Sequence, residues 1–203
     1  MSDNPLSRAA FLLGAHSLDQ CPPDNGVEIA FVGRSNAGKS SVINALTGRR
    51  ALARISKTPG RTQQINFFAL DGDRRLVDLP GYGFARVPPA LKKHWFETIN
   101  AYLQNRRSLA GLILILDVRR DPGQEDRQIL DWCAASGLPV HILLNKADKL
   151  SYGAGRRRLA ALQSGLPSGC SIQLFSARTR AGTEEAAARI RAWLEEDSVP
   201  ASR

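Results

Sequence analysis

The sequence predicts an α/β fold of three layers, in which helices cover both faces of a mostly parallel sheet that contains one antiparallel strand. Continuous apolar runs alternate with segments of helical spacing, as buried parallel strands and their crossover helices do. Two short strands joined by an Asp-Gly-Asp turn predict the antiparallel pairing. A length of 203 residues with 43% hydrophobic residues suits one domain with a full core.

The chain begins with a polar, loosely patterned stretch, residues 1–26, which we interpret as an N-terminal extension. Within it, residues 10–15 are the one plausible strand, and they are expected to lie over the domain or to add an edge strand to its sheet. Residues 27–197 are predicted to form the single domain, and residues 198–203 a frayed tail.

Periodicity assigns the elements of the domain in order. After a first strand that ends at Gly33 and a helix that follows it, strands are predicted at residues 65–70, 76–78, 112–116, 140–144 and 172–175. Amphipathic helices are predicted at residues 89–107, 124–135 and 156–166, and a last one begins with Thr183 as its N-cap.

Residues 28–41, with the sequence EIAFVGRSNAGKSS, form the most informative stretch. A strand leads to Gly33, and Gly38 precedes a helix, which is the context of a phosphate-binding loop. Glycines at both ends let the backbone turn sharply and bring its N–H groups close to phosphate oxygens. The Lys39 ammonium can reach the β- and γ-phosphates, and the Ser40 hydroxyl can bind magnesium.

Three shorter motifs follow predicted strands, at the edge of the sheet where ligands of open parallel sheets bind. In Asp78-Leu79-Pro80-Gly81 the carboxylate can hold magnesium through water, and the Gly81 N–H can meet a γ-phosphate. In Asn145-Lys146-Ala147-Asp148 the last carboxylate can accept the N1–H and 2-amino groups of guanine, which adenine lacks. The backbone after Ser176 can contact the guanine O6. Together the motifs predict a guanine-nucleotide site.

Three segments carry a closer resemblance: GRSNAGKSS at residues 33–41, KTPGRTQ at 57–63 with NFF at 66–68, and DLPGYG at 78–83. They resemble the EngB (YsxC/YihA) family of ribosome biogenesis GTP-binding proteins, within the translation-factor-related P-loop GTPases. This resemblance implies a P-loop GTPase (G-domain) fold. It also implies a GTP switch with Mg²⁺ that acts with the large ribosomal subunit or its precursors and is needed for cell division and septation.

The resemblance also implies roles for individual residues. Lys39, Thr62 and Gly81 are implied as catalytic, and Ser40 and Thr62 as magnesium ligands, with Thr58 as a rival for the second ligand. The implied nucleotide contacts are Gly33, Arg34, Ser35, Asn36, Ala37, Gly38, Lys39, Ser40, Gly60, Arg61, Thr62, Gln63, Gln64, Asp78, Leu79, Pro80, Gly81, Asn145, Lys146, Ala147, Asp148, Phe175, Ser176 and Ala177.

Hydrolysis is expected to be slow, because Tyr82 stands where many signalling GTPases place a water-positioning glutamine. Asn36 resembles an asparagine that helps to hold K⁺ beside the phosphates, although it can equally serve only the geometry of the loop. Arg34 and Arg61 can supply positive charge to the reaction or bind RNA phosphates, and the sequence does not distinguish these roles.

The net charge of +9 favours a polyanionic partner, although a GC-rich genome also enriches arginine. Residues 54–61 and 82–93, two segments that carry basic side chains, are expected to present a different surface when GTP is replaced by GDP. Tyr82, Phe84 and His94 are expected to pack on a partner or to remain solvated. Three cysteines without metal-site spacing and the lack of an apolar run of roughly 20 residues favour a soluble, cytoplasmic protein, which we expect to be monomeric.

Two other functions are compatible with a phosphate-binding loop. A small-molecule phosphotransferase would require a substrate lid and would bind ATP, which the Asn-Lys-x-Asp motif disfavours. A G-domain regulator of a non-ribosomal partner, such as a membrane or tRNA-modification protein, is the main alternative.

Overall fold

The computed structural model describes residues 4–53, 64–83 and 89–195, except for the side chains of residues 89–92 and 95. The strands in these ranges are β1 (Ala10–Ala15), β2 (Val27–Gly33), β3 (Ile65–Ala69), β4 (Arg74–Asp78), β5 (Leu109–Asp117), β6 (Val140–Asn145) and β7 (Cys170–Leu174). The α-helices are α1 (Lys39–Thr47), α2 (Pro89–Asn105), α3 (Gln124–Ser136), α4 (Tyr152–Gln163) and α5 (Thr183–Glu195).

The strands form a seven-stranded sheet in the order β1-β3-β4-β2-β5-β6-β7. Strand β3 pairs antiparallel with both β1 and β4, whereas β2, β4, β5, β6 and β7 pair in parallel, so β3 alone runs against the others. The predicted fold class is therefore confirmed. The predicted strand at Ala10–Ala15 is present and lies at the edge of the sheet.

Helices cover both faces of the sheet and bury a separate core on each. On one face Tyr102 of α2 and Ile129 of α3 pack against the strands. On the other face Ile43 of α1 and Ile190 of α5 do the same. Strand β5 is buried along nearly its whole length because it lies between these two cores, which explains its continuous apolar run. None of the helices in the described ranges has the length and apolar character to cross a bilayer.

Two helix starts differ from the sequence prediction. Helix α4 begins at Tyr152, one turn before the predicted start, because the Ser151 hydroxyl accepts a hydrogen bond from the Ala154 N–H at 3.4 Å and caps it. Thr183 was expected to be an N-cap, but it is already helical, and its hydroxyl donates to the Arg180 carbonyl at 2.8 Å.

A buried ionic network lies at the amino-terminal end of β2. The Glu28 carboxylate is fully buried and accepts hydrogen bonds from Arg106 at 2.7 and 2.8 Å and from the Tyr102 hydroxyl at 2.6 Å. Arg75 contributes a further contact at 3.3 Å. Burial, and then the charge of Glu28, raise the pKa of Tyr102 far above its ordinary value, so the phenol remains a donor.

We predict that Arg106→Leu lowers the free energy of unfolding by about 3 kcal/mol, because it leaves a buried carboxylate without its bidentate partner. The neighbouring Arg107 has a side chain that is 85% exposed, so Arg107→Leu should change stability by less than about 0.5 kcal/mol. Urea unfolding of both variants is the measurement, and equal losses would contradict the prediction.

Candidate nucleotide-binding site

The glycines of the phosphate loop are required by close packing as well as by the turn. The loop runs from the end of β2 at Gly33 to Lys39, the first residue of α1. A Cβ on Gly33 would lie 2.6 Å from the Ile115 carbonyl oxygen. Gly38 has a φ of +99°, and a Cβ there would collide with the Asn145 side-chain amide. Larger residues at either position would therefore force the loop away from the sheet.

The backbone amides of the loop divide into two groups. The Ser35 N–H donates to the Tyr82 carbonyl at 2.6 Å and so faces the segment after β4. The N–H groups of Asn36 and Gly38 have no acceptor within residues 4–53, 64–83 and 89–195. The Ala37 N–H between them donates to the Arg34 carbonyl at 3.0 Å. Two unpaired amides in one short loop suit an anion such as a phosphate. Fewer loop amides are therefore available to a phosphate than the sequence suggests, because the Ser35 amide is already bonded.

Lys39 and Asp78 bring the phosphate loop and the end of β4 together. The Lys39 ammonium contacts the Asp78 carboxylate, and 13% and 9% of the two side chains are exposed. This pairing places the Asp-x-x-Gly motif beside the first turn of α1, as the sequence predicts. Gly81 lies next to the loop, since a Cβ built on it would be 3.6 Å from the Gly33 carbonyl oxygen.

The base-reading motif is fixed to the phosphate loop by two side chains. Asn145, at the end of β6, donates to the Ala37 carbonyl at 2.8 Å and accepts from the Ala177 N–H at 3.2 Å. Lys146 has a φ of +66°, and its ammonium donates to the Asn36 carbonyl at 2.6 Å. Segments that are far apart in sequence therefore meet at one edge of the sheet.

Asp117, at the end of β5, is a site residue that the sequence analysis missed. Its carboxylate accepts from Lys146 at 2.9 Å and from Arg119 at 2.7 and 2.9 Å. The hydrogen bonds from Arg119 outweigh burial and, with those from Lys146, hold the pKa of Asp117 well below its ordinary value. The ionised carboxylate orients the Lys146 ammonium. The signal available in the sequence was an acidic residue at the end of a buried strand.

The Asp148 carboxylate has partners on both oxygens. Ser176 donates its hydroxyl to one oxygen at 2.7 Å, and Arg178 donates its Nε–H to the other at 2.8 Å. The hydrogen bond from Ser176, followed by that from Arg178, lowers the pKa of Asp148. The carboxylate is therefore ionised at neutral pH, as acceptance of two guanine donors requires. Arg178 is a further residue of the site that the sequence motifs did not identify.

Other predicted site residues have different outcomes. Gly60, Arg61, Thr62, Gln63 and the rival ligand Thr58 lie outside the described residues. The side chain of Gln64 points toward β1, where it contacts the His16 ring at 2.8 Å, and this geometry does not support a nucleotide contact. The Phe175 carbonyl accepts from the Ala147 N–H at 3.0 Å and joins the last two motifs.

Tyr82 was expected to pack on a partner, but only 2% of it is exposed. Its hydroxyl donates to Asp126 of α3 at 2.5 Å, and its ring packs against Phe96 of α2. The prediction of a partner contact is wrong for this residue, because the packing of two helices decides its burial. A buried phenol that is already bonded also cannot position a water molecule for hydrolysis.

Residues 28–146 match the MMR_HSR1 family, which is described as 50S ribosome-binding GTPase. The chain belongs to this GTPase family. In this GTPase the phosphate loop, the end of β4 and the Asn-Lys-x-Asp motif meet at one edge of the sheet. The sequence-based prediction of a GTPase is confirmed.

Solved structures with the same fold include three GTPases. A probable GTP-binding protein EngB is 23% identical with a TM-score of 0.69, and the match covers 84% of this chain and 100% of that one. Era from Aquifex aeolicus, bound to GDP·AlF4⁻, is 21% identical with a TM-score of 0.66 over 84% of this chain and 57% of that one. The G domain of the T. maritima iron transporter FeoB is 22% identical with a TM-score of 0.55, and the match covers 84% and 100%.

We predict that Asp148→Asn changes the base preference from guanine to xanthine. An amide can accept the N1–H and donate to the 2-oxo group of xanthine, whereas it meets the 2-amino group of guanine with a second donor. The affinity for GDP should fall about 100-fold or more, and XDP should bind more tightly than GDP. Fluorescent-nucleotide titration measures both.

The control for this prediction is Asp131→Asn, which makes the same change on the exposed face of α3 and should leave both affinities unchanged. An unchanged preference for GDP over XDP in Asp148→Asn would contradict the assigned role of Asp148.

Proposed function

We propose that this GTPase is a GTP-dependent switch that acts in the cytoplasm in the assembly of the large ribosomal subunit, and that it is thereby needed for normal cell division and septation. The observation that carries the proposal is the joining of the phosphate loop to the Asn-Lys-x-Asp motif through Asn145 and Lys146. The family description and the likeness to EngB and Era support a ribosomal partner.

The proposed switch includes Mg²⁺ bound with the nucleotide. The residues present fit the ion: Ser40 follows Lys39 in the first turn of α1, and the Asp78 carboxylate contacts Lys39. Hydroxyl and carboxylate oxygens are the ligands that Mg²⁺ prefers, together with phosphate oxygens and water. We assign direct binding to Ser40 and, from the resemblance, to Thr62, whereas Asp78 would bind through water. The ion neutralises phosphate charge during hydrolysis.

The proposed hydrolysis is slow and is stimulated by K⁺. Slow hydrolysis follows from the burial of Tyr82 at the position where other GTPases carry a glutamine. Asn36 has a φ of +65°, a conformation that glycine adopts without strain and asparagine tolerates. Its conformation alone thus explains an asparagine, and the proposal adds that its exposed side chain helps to hold K⁺ beside the phosphates.

Asn36→Gly tests the role of this side chain, because glycine keeps the left-handed backbone and removes only the side chain. Single-turnover hydrolysis of GTP should be faster in KCl than in NaCl for the parent chain, and the difference should disappear in Asn36→Gly. Retained stimulation in the variant would assign Asn36 to loop geometry only. Equal rates of the parent chain in both salts would remove K⁺ from the proposal.

Charge near the nucleotide edge supports an RNA-containing partner. The side chains of Arg119 and Arg178 are 47% and 68% exposed. Their partner carboxylates, those of Asp117 and Asp148, each contact a lysine as well, so cations outnumber carboxylates in this part of the site. With the net charge of +9, such a surface favours phosphate backbones, and that attraction weakens with salt. A specific partner must therefore be separated experimentally from nonspecific polyanion binding.

We expect the protein to sediment with large ribosomal subunits or their precursors when a non-hydrolysable GTP analogue is bound, and to remain bound at moderate salt. GDP and nucleotide-free samples across the same salt series are the controls. Binding that ignores the nucleotide and disappears with salt would contradict the proposal. That result would favour regulation of a non-ribosomal partner. The G domain of the iron transporter FeoB has the same fold and is an example of its use outside the ribosome family.

A further inference from the structure

Tyr82 connects three parts of the structure at the residue that follows Gly81. Its carbonyl accepts from the Ser35 N–H in the phosphate loop at 2.6 Å. Its ring packs edge-to-face on Phe96 of α2 with 6.5 Å between centroids. Its hydroxyl donates to the Asp126 Oδ1 at 2.5 Å. Because Tyr82 is held at its backbone, ring and hydroxyl, the preceding residue, Gly81, has little conformational freedom.

Asp126 is held as firmly as Tyr82. Only 1% of it is exposed, and its second oxygen accepts from the Gly123 N–H at 2.6 Å, which fixes the start of α3. Burial, and then the charge of Asp126, raise the pKa of Tyr82 well above its ordinary value, so the phenol remains a donor throughout the physiological range. The pair therefore joins the segment after β4 to the first turn of a rigid helix.

The position of Gly81 depends on this connection. A Cβ built on Gly81 would lie 3.6 Å from the Gly33 carbonyl oxygen and 3.8 Å from the Ser35 nitrogen, so Gly81 rests against the phosphate loop. Its N–H is the proposed donor to the γ-phosphate, and a donor contributes more when it is held in place before the phosphate arrives. Tyr82 is covalently the next residue, and its anchors determine where Gly81 lies.

We propose that Asp126 is a positioning residue for the GTPase reaction, which acts through the Tyr82 hydroxyl to hold Gly81 at the γ-phosphate. This inference rests on the proposed role of Gly81. Because GDP has no γ-phosphate, loss of the Tyr82–Asp126 hydrogen bond should weaken the binding of GTP and leave that of GDP unchanged. The bond thus contributes to the distinction between the two nucleotides as well as to the rate.

The chain offers a matched control for this hydrogen bond. Tyr102 is also a buried phenol that donates to a buried carboxylate, that of Glu28, at 2.6 Å. That pair lies at the amino-terminal end of β2, whereas the nucleotide site lies at the carboxyl ends of the strands. Removal of either hydroxyl costs a similar buried hydrogen bond, but only one of them is connected to Gly81.

The experiment compares Tyr82→Phe with Tyr102→Phe. The affinities for GDP and for a non-hydrolysable GTP analogue are measured by titration, the single-turnover hydrolysis rate is measured at saturating GTP, and the melting temperature is recorded. Tyr82→Phe should lower the ratio of GTP-analogue affinity to GDP affinity about tenfold and the hydrolysis rate by a similar factor. Tyr102→Phe should lower the melting temperature and leave the ratio unchanged.

Asp126→Asn provides a second variant, alone and combined with Tyr82→Phe. If Asp126 acts through Tyr82, the double variant should show the same affinity ratio as Tyr82→Phe alone. An additional loss in the double variant would contradict action through Tyr82. An unchanged ratio in Tyr82→Phe, with a loss of stability similar to that of Tyr102→Phe, would reduce the pair to a structural contact and overturn the inference.

Gly81→Ala tests the proposed role of Gly81 separately from the positioning role of Asp126. Alanine keeps the backbone N–H, and its methyl group would lie on the phosphate-loop side of Gly81 at ordinary contact distances. The folded chain therefore accommodates the methyl group, which would crowd a γ-phosphate bound against Gly81. A lower affinity ratio in Gly81→Ala with an unchanged ratio in Tyr82→Phe would overturn the role of Asp126 and keep that of Gly81. An unchanged ratio in Gly81→Ala would show that Gly81 does not lie against the γ-phosphate, and it would overturn both.

Discussion

One buried amide, the side chain of Asn145, holds the nucleotide-binding loops together. It donates to the Ala37 carbonyl and accepts from the Ala177 N–H, and only 2% of the residue is exposed. A carboxylate of the same size would lack the donor, and an apolar residue would leave the buried Ala37 carbonyl and the half-buried Ala177 N–H without this partner. The close approach of this amide also explains Gly38, since a Cβ there would collide with it. The composition of the phosphate loop is thus determined partly by the base-reading motif.

The sequence predicted the parts of the fold that local patterns determine. The Asp-Gly-Asp turn between β3 and β4 identified the antiparallel strand, and the apolar run of β5 identified a strand covered on both faces. It did not predict the contacts that depend on topology. Glu28 and Arg106 form a buried pair although 78 residues separate them, and no spacing rule connects them. Tyr82 was misread for the same reason, because α2 and α3 must both be in place before it is buried.

Among the site residues, too, the sequence identified those that follow from a local motif and missed those that depend on tertiary contacts. Each motif identified residues by the chemistry of one ligand contact, so Lys39, Asn145 and Asp148 were found. Asp117, Asp126 and Arg178 contact other protein groups of the site, and their importance appears only when those groups are adjacent. Each of the two carboxylates contacts an arginine and a lysine: Asp117 contacts Arg119 and Lys146, and Asp148 contacts Arg178 and Lys149. The amides of Asn36 and Gly38 have no acceptor in the described part of the chain.

The two ends of β2 carry different groups: a buried ionic network lies at one end, and the phosphate loop begins at the other. Strand β2 spans Val27–Gly33, roughly 20 Å at the usual rise per residue, and carries Glu28 at one end and the start of the phosphate loop at the other. Buried charges at the amino-terminal end hold α2 to the sheet without contact to the nucleotide edge. At the carboxyl end, the Asn36 and Gly38 amides have no partner in the described residues, and Asn36 is exposed, so these amides are available to an anion. Because the ionic network and the phosphate loop lie at opposite ends of one strand, a substitution such as Arg106→Leu is expected to lower stability without altering the groups that meet the nucleotide.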